Sequence, residues 1–235
     1  MARMKLETKL TKGSIKDHFS YSLWKYVVAA VLAFFAVDMF YIQTAYHPPE
    51  HLRIDVYVRS ATATQDSVNA FLEPVWKSTV PEMETVESVV MLPLGENDYM
   101  AQVQLLTYLA AHQGDIYMLS AADFKQFAAQ GAFIPLETLV AEGEIDTDGI
   151  DVTKGYVTLV GSDEAGNDVL MGSHLFGIPT DSLAGFTSCG IDNGNMFLSI
   201  TQSNENDENV IPFFSALIEA AKPADDSIVS EEAAK

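Results

Sequence analysis

Residues 114–136 read GDIYMLSAADFKQFAAQGAFIPL, and two periodicities meet inside them. Residues 114–120 hold the run Ile116, Tyr117, Met118 and Leu119 between Gly-Asp and Ser120, which has the length and side-chain type of a buried strand. Residues 121–130 read as a helix, and Gly131 ends it because glycine accepts the left-handed conformation that closes a helix. The same alternation continues upstream. Residues 52–58 (LRIDVYV) and 86–94 (VESVVMLPL) read as strands. Residues 64–78 read as a helix started by Thr64 and Asp66, with Val68, Phe71, Leu72, Val75 and Trp76 at helical spacing and a kink at Pro74. Residues 98–111 form another, whose expected apolar face is Met100, Val103, Leu106, Leu109 and Ala110. Strand and helix alternating at this spacing predict crossover units: an α/β fold with a mostly parallel sheet flanked by helices.

Further out, residues 26–44 (YVVAAVLAFFAVDMFYIQT) are apolar at all but Asp38, Gln43 and Thr44. That is about the length of helix that crosses a ~30 Å hydrocarbon core. Residues 1–25 carry six basic residues against two acids, whereas residues 46–235 carry seven against thirty. Lys and Arg stay on the cytoplasmic side, so the basic segment is expected inside and the acidic remainder outside. The run exceeds a usual signal-peptide core and no clean small-x-small cleavage site follows, so an uncleaved anchor at residues 26–45 is expected in the cell membrane. Asp38 costs roughly 2.5–3.5 kcal/mol on insertion scales, offset by nine Val, Leu, Ile or Phe residues giving about 0.3–0.6 kcal/mol each. It reads either as the meeting point for an intramembrane partner or as a protonated or snorkelling side chain.

Residues 46–51 contain Pro48-Pro49 and form a stiff spacer, and residues 52–222 suffice for one well-buried outer domain. A single cysteine, Cys189, excludes an internal disulfide. A net charge of −20 excludes ordinary nucleic-acid binding, since phosphates would be repelled. Residues 156–160 and 169–172 flank the turn-rich SDEAGN and read as a hairpin; residues 196–201 read as a strand and 207–222 as a closing helix. Residues 223–235 (PADDSIVSEEAAK) hold too few apolar groups to offset ordering, and a disordered acidic tail is expected.

Residues 114–136, with their strand, aromatic-bearing helix and QGA-x-x-PL ending, resemble the first lobe of bacterial extracellular solute-binding proteins, the substrate receptors of ABC importers. The likeness extends back to residues 53–60 and forward to Phe176-Gly177-Ile178-Pro179-Thr180, which is similar to that family's YGIP strand. The resemblance implies a type II periplasmic-binding-protein lobe. After the GIP strand, members of that family cross into a second lobe of comparable size, and only about fifty residues follow here. The expectation is therefore a single lobe. The truncated crossover would expose Leu183, Phe186, Ile191, Met196 and Phe197, a patch for an ABC permease or another membrane protein.

Ligands of parallel α/β sheets lie beyond the strands' carboxyl ends. The candidate site residues there are Arg59, Ser60, Thr62, Asn97, Ser120, Asp123, Thr180 and Asp181, suited to a small polar or cationic solute. Ser120, Asp123, Thr62 and Asp66 also read as simple helix caps. Glu144, Asp146, Asp148 and Gly149 occupy positions 1, 3, 5 and 6 of a calcium-loop register, but position 12 is Gly155 rather than a bidentate Glu, so a solvated acidic loop is the plainer reading. No Gly-x-Ser-x-Gly, phosphate-loop or His-Glu-x-x-His pattern occurs, so neither enzyme activity nor a cofactor other than calcium is expected. The expected role is that of a solute-binding accessory to an importer or a surface ligand sensor. The alternative is an interaction module that binds no ligand.

Overall fold

The structure, a computed structural model, describes residues 12–44, 46, 48–92, 99–162, 168–201 and 206–223. The chain divides into two compact units, Met1–His47 and Pro48–Lys235. The expected acidic tail beyond Pro223 lies outside the described residues.

The first unit holds one helix, α1 (Lys12–Thr44), of 33 residues. Its stretch Leu23–Ile42, 20 residues with a mean hydropathy of 1.8, is long and apolar enough to cross a membrane. None of that stretch is buried within the protein, and it is apolar on every side, unlike a helix packed on a core through one stripe. At its end the Thr44 hydroxyl donates to the Phe40 carbonyl at 2.6 Å. Pro48 and Pro49, which disfavour helix in the residues before them, follow shortly.

The second unit runs β1 (Arg53–Arg59), α2 (Gln65–Thr79), β2 (Thr85–Met91), α3 (Tyr99–Ala110), β3 (Ile116–Ser120), α4 (Ala121–Ala129), α5 (Glu137–Ala141), β4 (Tyr156–Ser162), β5 (Asp168–Leu175), β6 (Ile178–Pro179), β7 (Met196–Ile200) and α6 (Asp207–Ala221). The main sheet has the order β2-β1-β3-β7-β6. Strand β1 pairs in parallel with β2 and β3, while β7 runs antiparallel to both β3 and β6. The sheet is thus parallel except for β7.

Both faces are covered, which is why β1 and β3 are nearly continuous apolar runs. On one face Ile54, Val56 and Val58 pack beneath α2 (Val68, Leu72) and α6 (Phe213, Phe214, Leu217). On the other, Tyr57, Tyr117 and Leu119 pack beneath α3 (Leu105) and α4 (Phe124, Phe127). Rings form a continuous column there: Tyr57 stacks on Tyr117 at 4.9 Å between centroids, and Phe124 stacks on Phe197 at 4.4 Å. Strands β4 and β5 form a separate antiparallel hairpin with a register shift at Leu159/Val160.

Two expectations are corrected. The buried positions of α3 are Ala101 and Leu105, while Met100 and Leu106 face solvent. With apolar residues all round this helix, its periodicity could not select a face. Residues 137–141, to which the periodicity assigns no element, form the short helix α5. The apolar patch expected at the crossover is absent: Leu183, Phe186, Ile191, Met196 and Phe197 are all buried in the unit's own core. The 3₁₀ segment Ala184–Cys189 folds back under α2 and α6, with Phe186 tilted against Phe71 at 5.6 Å.

Candidate functional site

Strands β1 and β3 lie side by side and end together, so residues 64 apart in sequence meet at their carboxyl ends. Arg59 closes β1 and Ser120 closes β3; Asp123 sits in the first turn of α4, which starts at that point. The Arg59 guanidinium donates to Asp123 Oδ2 at 2.5 Å. The Ser120 hydroxyl donates to the same oxygen at 2.7 Å and accepts from the Asp123 amide at 3.3 Å. The side chains are 7% exposed for Arg59 and 13% for Asp123, so this ion pair is largely desolvated. Ser120 is the N-cap of α4, and Asp123 near that helix start also favours the positive end of its dipole.

The loop after β1 is braced by hydroxyls. Ser60 is buried, and its Oγ accepts from the Thr62 and Ala63 amides at 3.3 and 3.1 Å. The exposed Thr62 donates to the Gly190 carbonyl at 2.5 Å. Thr64, not Thr62 or Asp66, caps α2, in a reciprocal capping box with Ser67.

Thr180 and Asp181 form a second cluster, at the end of β6. Thr180 is fully buried and donates to backbone carbonyls of Asn193 at 2.8 Å and Met196 at 3.2 Å. Asp181 accepts from the Asn195 amide at 2.7 Å and pairs with Lys154 at 3.0 Å. The Asn195 amide, and then the Lys154 ammonium, hold its carboxyl below the usual carboxylate range. The two clusters meet where the Ala121 amide donates to the Asn195 carbonyl at 3.0 Å. Asn193 spans the turn by donating to the carbonyls of Thr180 and Leu183 at 3.0 and 3.1 Å. Sequence reading did not single out Asn193, Asn195 or Lys154. The run Asp192-Asn193-Gly194-Asn195 is the turn signal that could have flagged the first two.

The structure therefore brings Arg59, Ser120 and Asp123 into direct contact, sets Ser60 and Thr62 in the adjoining loop, and places Thr180 and Asp181 in the neighbouring turn. Asn97 lies outside the described residues. Glu144, Asp146 and Asp148 are exposed; Asp146 accepts from the Asp148 amide at 2.9 Å and pairs with Lys222 at 2.5 Å. Among the described residues no three His, Cys, Asp or Glu side chains are grouped to hold a metal ion. Asp38 is exposed on α1.

No family model matches this chain, and no curated protein matches it. Among solved structures, an extracellular solute-binding protein family 1 from Alicyclobacillus acidocaldarius is similar over 57% of this chain and 31% of its own, at 16% identity and a TM-score of 0.36. An ABC substrate-binding protein from Listeria monocytogenes in complex with cycloalternan is similar over 47% of this chain and 29% of its own, at 20% identity and a TM-score of 0.33. The chain thus spans about a third of the length of these solute-binding proteins.

Proposed function

We propose that the chain is a membrane-tethered, non-enzymatic, solute-binding-protein-like domain, with α1 in the cell membrane, its basic end cytoplasmic and residues 52–222 outside. It acts as an accessory to an ABC importer or as a surface ligand sensor. The observation that carries this reading is the Arg59–Asp123–Ser120 constellation at the carboxyl ends of adjacent parallel strands, the position where α/β sheets take up ligands. The charge step from a basic amino-terminal segment to an acidic outer unit supports the orientation.

The hydrogen bonding of the site favours weak binding of a small polar solute. Arg59 and Asp123 hold each other, Ser120 serves as a cap, and Asp181 is taken by Lys154 and Asn195. A solute would have to exchange hydrogen bonds with these groups rather than satisfy idle ones, which leaves little net gain per contact. Affinity then comes from shape or from a partner's added surface.

Thermal unfolding of the detergent-solubilised chain with millimolar sugars, peptides or polyamines tests the reading. A ligand at ten times its Kd stabilises by about 1.4 kcal/mol, or roughly 3–6 °C for a unit of this size. No shift with any ligand class would refute solute binding. The alternative of a ligand-free interaction module loses its original support, since the crossover residues it relied on are buried.

A further inference from the structure

Helix α6 buries Val210, Phe213, Phe214 and Leu217, but its opposite flank is unusual for a surface helix. Between Glu208 and Glu219 that flank carries the exposed Pro212 and the half-buried Ile211, Ser215 and Ala216, without a single charge. A water-facing flank ordinarily carries charged residues. These residues floor an open groove of about 860 Å³, whose other wall is the loop bearing Glu144 and Asp146.

The rim is acidic. Asp146 and Glu219 share Lys222, at 2.5 and 2.9 Å, which leaves the three with one net negative charge. Glu144, Asp207 and Glu208 have no basic partner among the described residues. Asp207 and Glu208 suit the start of α6 through the helix dipole, but that does not account for Glu144 facing them across the groove. Pro212 adds an acceptor, because it has no N–H to offer the Glu208 carbonyl one turn earlier.

We propose that this groove docks a basic amphipathic helix of a partner protein. Residues 207–219 span about 18 Å of helix, enough to lie alongside three turns of a partner. Apolar side chains of the partner at i, i+3, i+4 and i+7 cover Ile211, Pro212 and Ala216, and its Lys or Arg residues meet Glu144 on one side and Asp207 and Glu208 on the other. Small Ser215 and Ala216 let the two backbones approach closely. The docking surface is independent of the solute site, and neither requires the other.

The test uses the full chain in detergent and a fluorescent helical peptide of roughly fourteen Leu and Lys residues in amphipathic register, with its Leu/Glu counterpart as comparison. Binding is read by anisotropy after subtraction of empty micelles. The basic peptide is expected to bind, and the triple change Glu144→Gln, Asp207→Asn, Glu208→Gln to weaken it by about tenfold or more, an effect that salt diminishes. Ser215→Lys, which sets a cation in the groove and leaves the rim acids intact, should weaken it similarly. A control that removes equal charge elsewhere (Glu82→Gln, Glu87→Gln, Asp192→Asn) should change it less than about twofold. Equal weakening by the groove and control variants would show unspecific attraction to the chain's net charge and overturn the proposal. So would absence of binding, or equal binding of the Leu/Glu peptide.

Discussion

Replacing Asp123 by alanine strands the Arg59 guanidinium at the top of β1. Only 7% of that side chain is exposed, and it donates to the Asp123 carboxylate at 2.5 Å. Removing one member of a buried ion pair leaves an uncompensated charge and costs about 3–5 kcal/mol. The Ser120 hydroxyl also loses its acceptor, about 1 kcal/mol more at most, although it still caps α4 through the backbone amide of residue 123. For a unit of this size, the sum is a fall of roughly 6–24 °C in Tm. Arg59→Met should cost less, about 1–3 kcal/mol, because the abandoned carboxylate keeps its Ser120 hydrogen bond and the start of α4 beside it.

The double variant separates pair from packing. With both charges gone and the volume filled (Arg59→Met with Asp123→Leu), stability should return to within about 1–2 kcal/mol of the parent, because neither charge then has to be desolvated. With Asp123→Leu alone as the fourth corner, chemical denaturation at pH 7, followed by circular dichroism and tryptophan fluorescence, completes the cycle. A cost below about 1 kcal/mol for Asp123→Ala would mean that the pair is solvated. A double variant as damaged as the sum of the singles would mean that the pair is uncoupled. Either result refutes the description of this site as a desolvated ion pair.

Gly177 packs so closely that an added Cβ would lie 2.6 Å from a Phe124 ring carbon and 2.7 Å from the Ser199 hydroxyl. Gly177→Ala should therefore cost about 1–3 kcal/mol in a urea melt, and an unchanged midpoint would show that the aromatic column yields freely. The Ser199 hydroxyl is buried without a hydrogen-bond partner among the described residues. Ser199→Ala is expected to be neutral or stabilising by about 1 kcal/mol, and a clear loss of Tm would reveal a partner. Asp181, whose carboxyl the fold holds below its ordinary range, contributes stability above its unfolded pKa and loses it as pH falls through its folded pKa. Asp181→Asn should thus lower Tm at neutral pH, with the gap to the parent closing under acid; a gap that persists below pH of about 2 would assign the effect to packing.

The strand–helix alternation was legible because each element keeps one period over its length. The span 114–136 carries β3, α4 and the Gly131 stop as read, with Gly131 in the left-handed region at φ 79°. Direction was not legible: MFLSI reads the same as a parallel or an antiparallel strand, and only the return path of the chain sets β7 against β3. The face of α3 was not legible because it has apolar residues on all sides. In the site, Arg59, Ser60, Thr62, Ser120, Asp123, Thr180 and Asp181 could be named from their places at strand ends, but neither their pairing nor the part played by Lys154, Asn193 and Asn195 could. Arg59 with Asp123, Lys154 with Asp181 and Lys222 with Asp146 are separated by 64, 27 and 76 positions, and nothing local in the chain encodes those matches. Surrounding packing chooses the partners, as it does for the Asn193 side chain that ties the turn after β6.

The burial of the crossover has a topological cause that bears on where this chain can meet others. After β6 the chain does not leave the sheet; it turns through Ala184–Cys189, returns as β7 between β3 and β6, and is covered by α6. Gly185 allows this closure, since an added Cβ would lie 2.7 Å from the Ala221 backbone. Hydroxyls fasten the far side, Thr62 to the Gly190 carbonyl at 2.5 Å and Ser67 to that of Cys189 at 2.8 Å. Among the described residues of this unit, the most exposed large apolar side chains lie instead on the β4–β5 hairpin, at Leu170 and Met171, on α3, at Tyr99 and Met100, and just after β2, at Leu92. A two-stranded hairpin is marginal alone, and this one is held through its base, where Val157 and Leu159 join the aromatic core beside α4. Beyond that base, Leu170 and Met171 are exposed. Among the described residues, the apolar surface open to recognition is therefore that of the hairpin, Leu92, α3 and the flank of α6, because the crossover side chains are buried in the unit's own core.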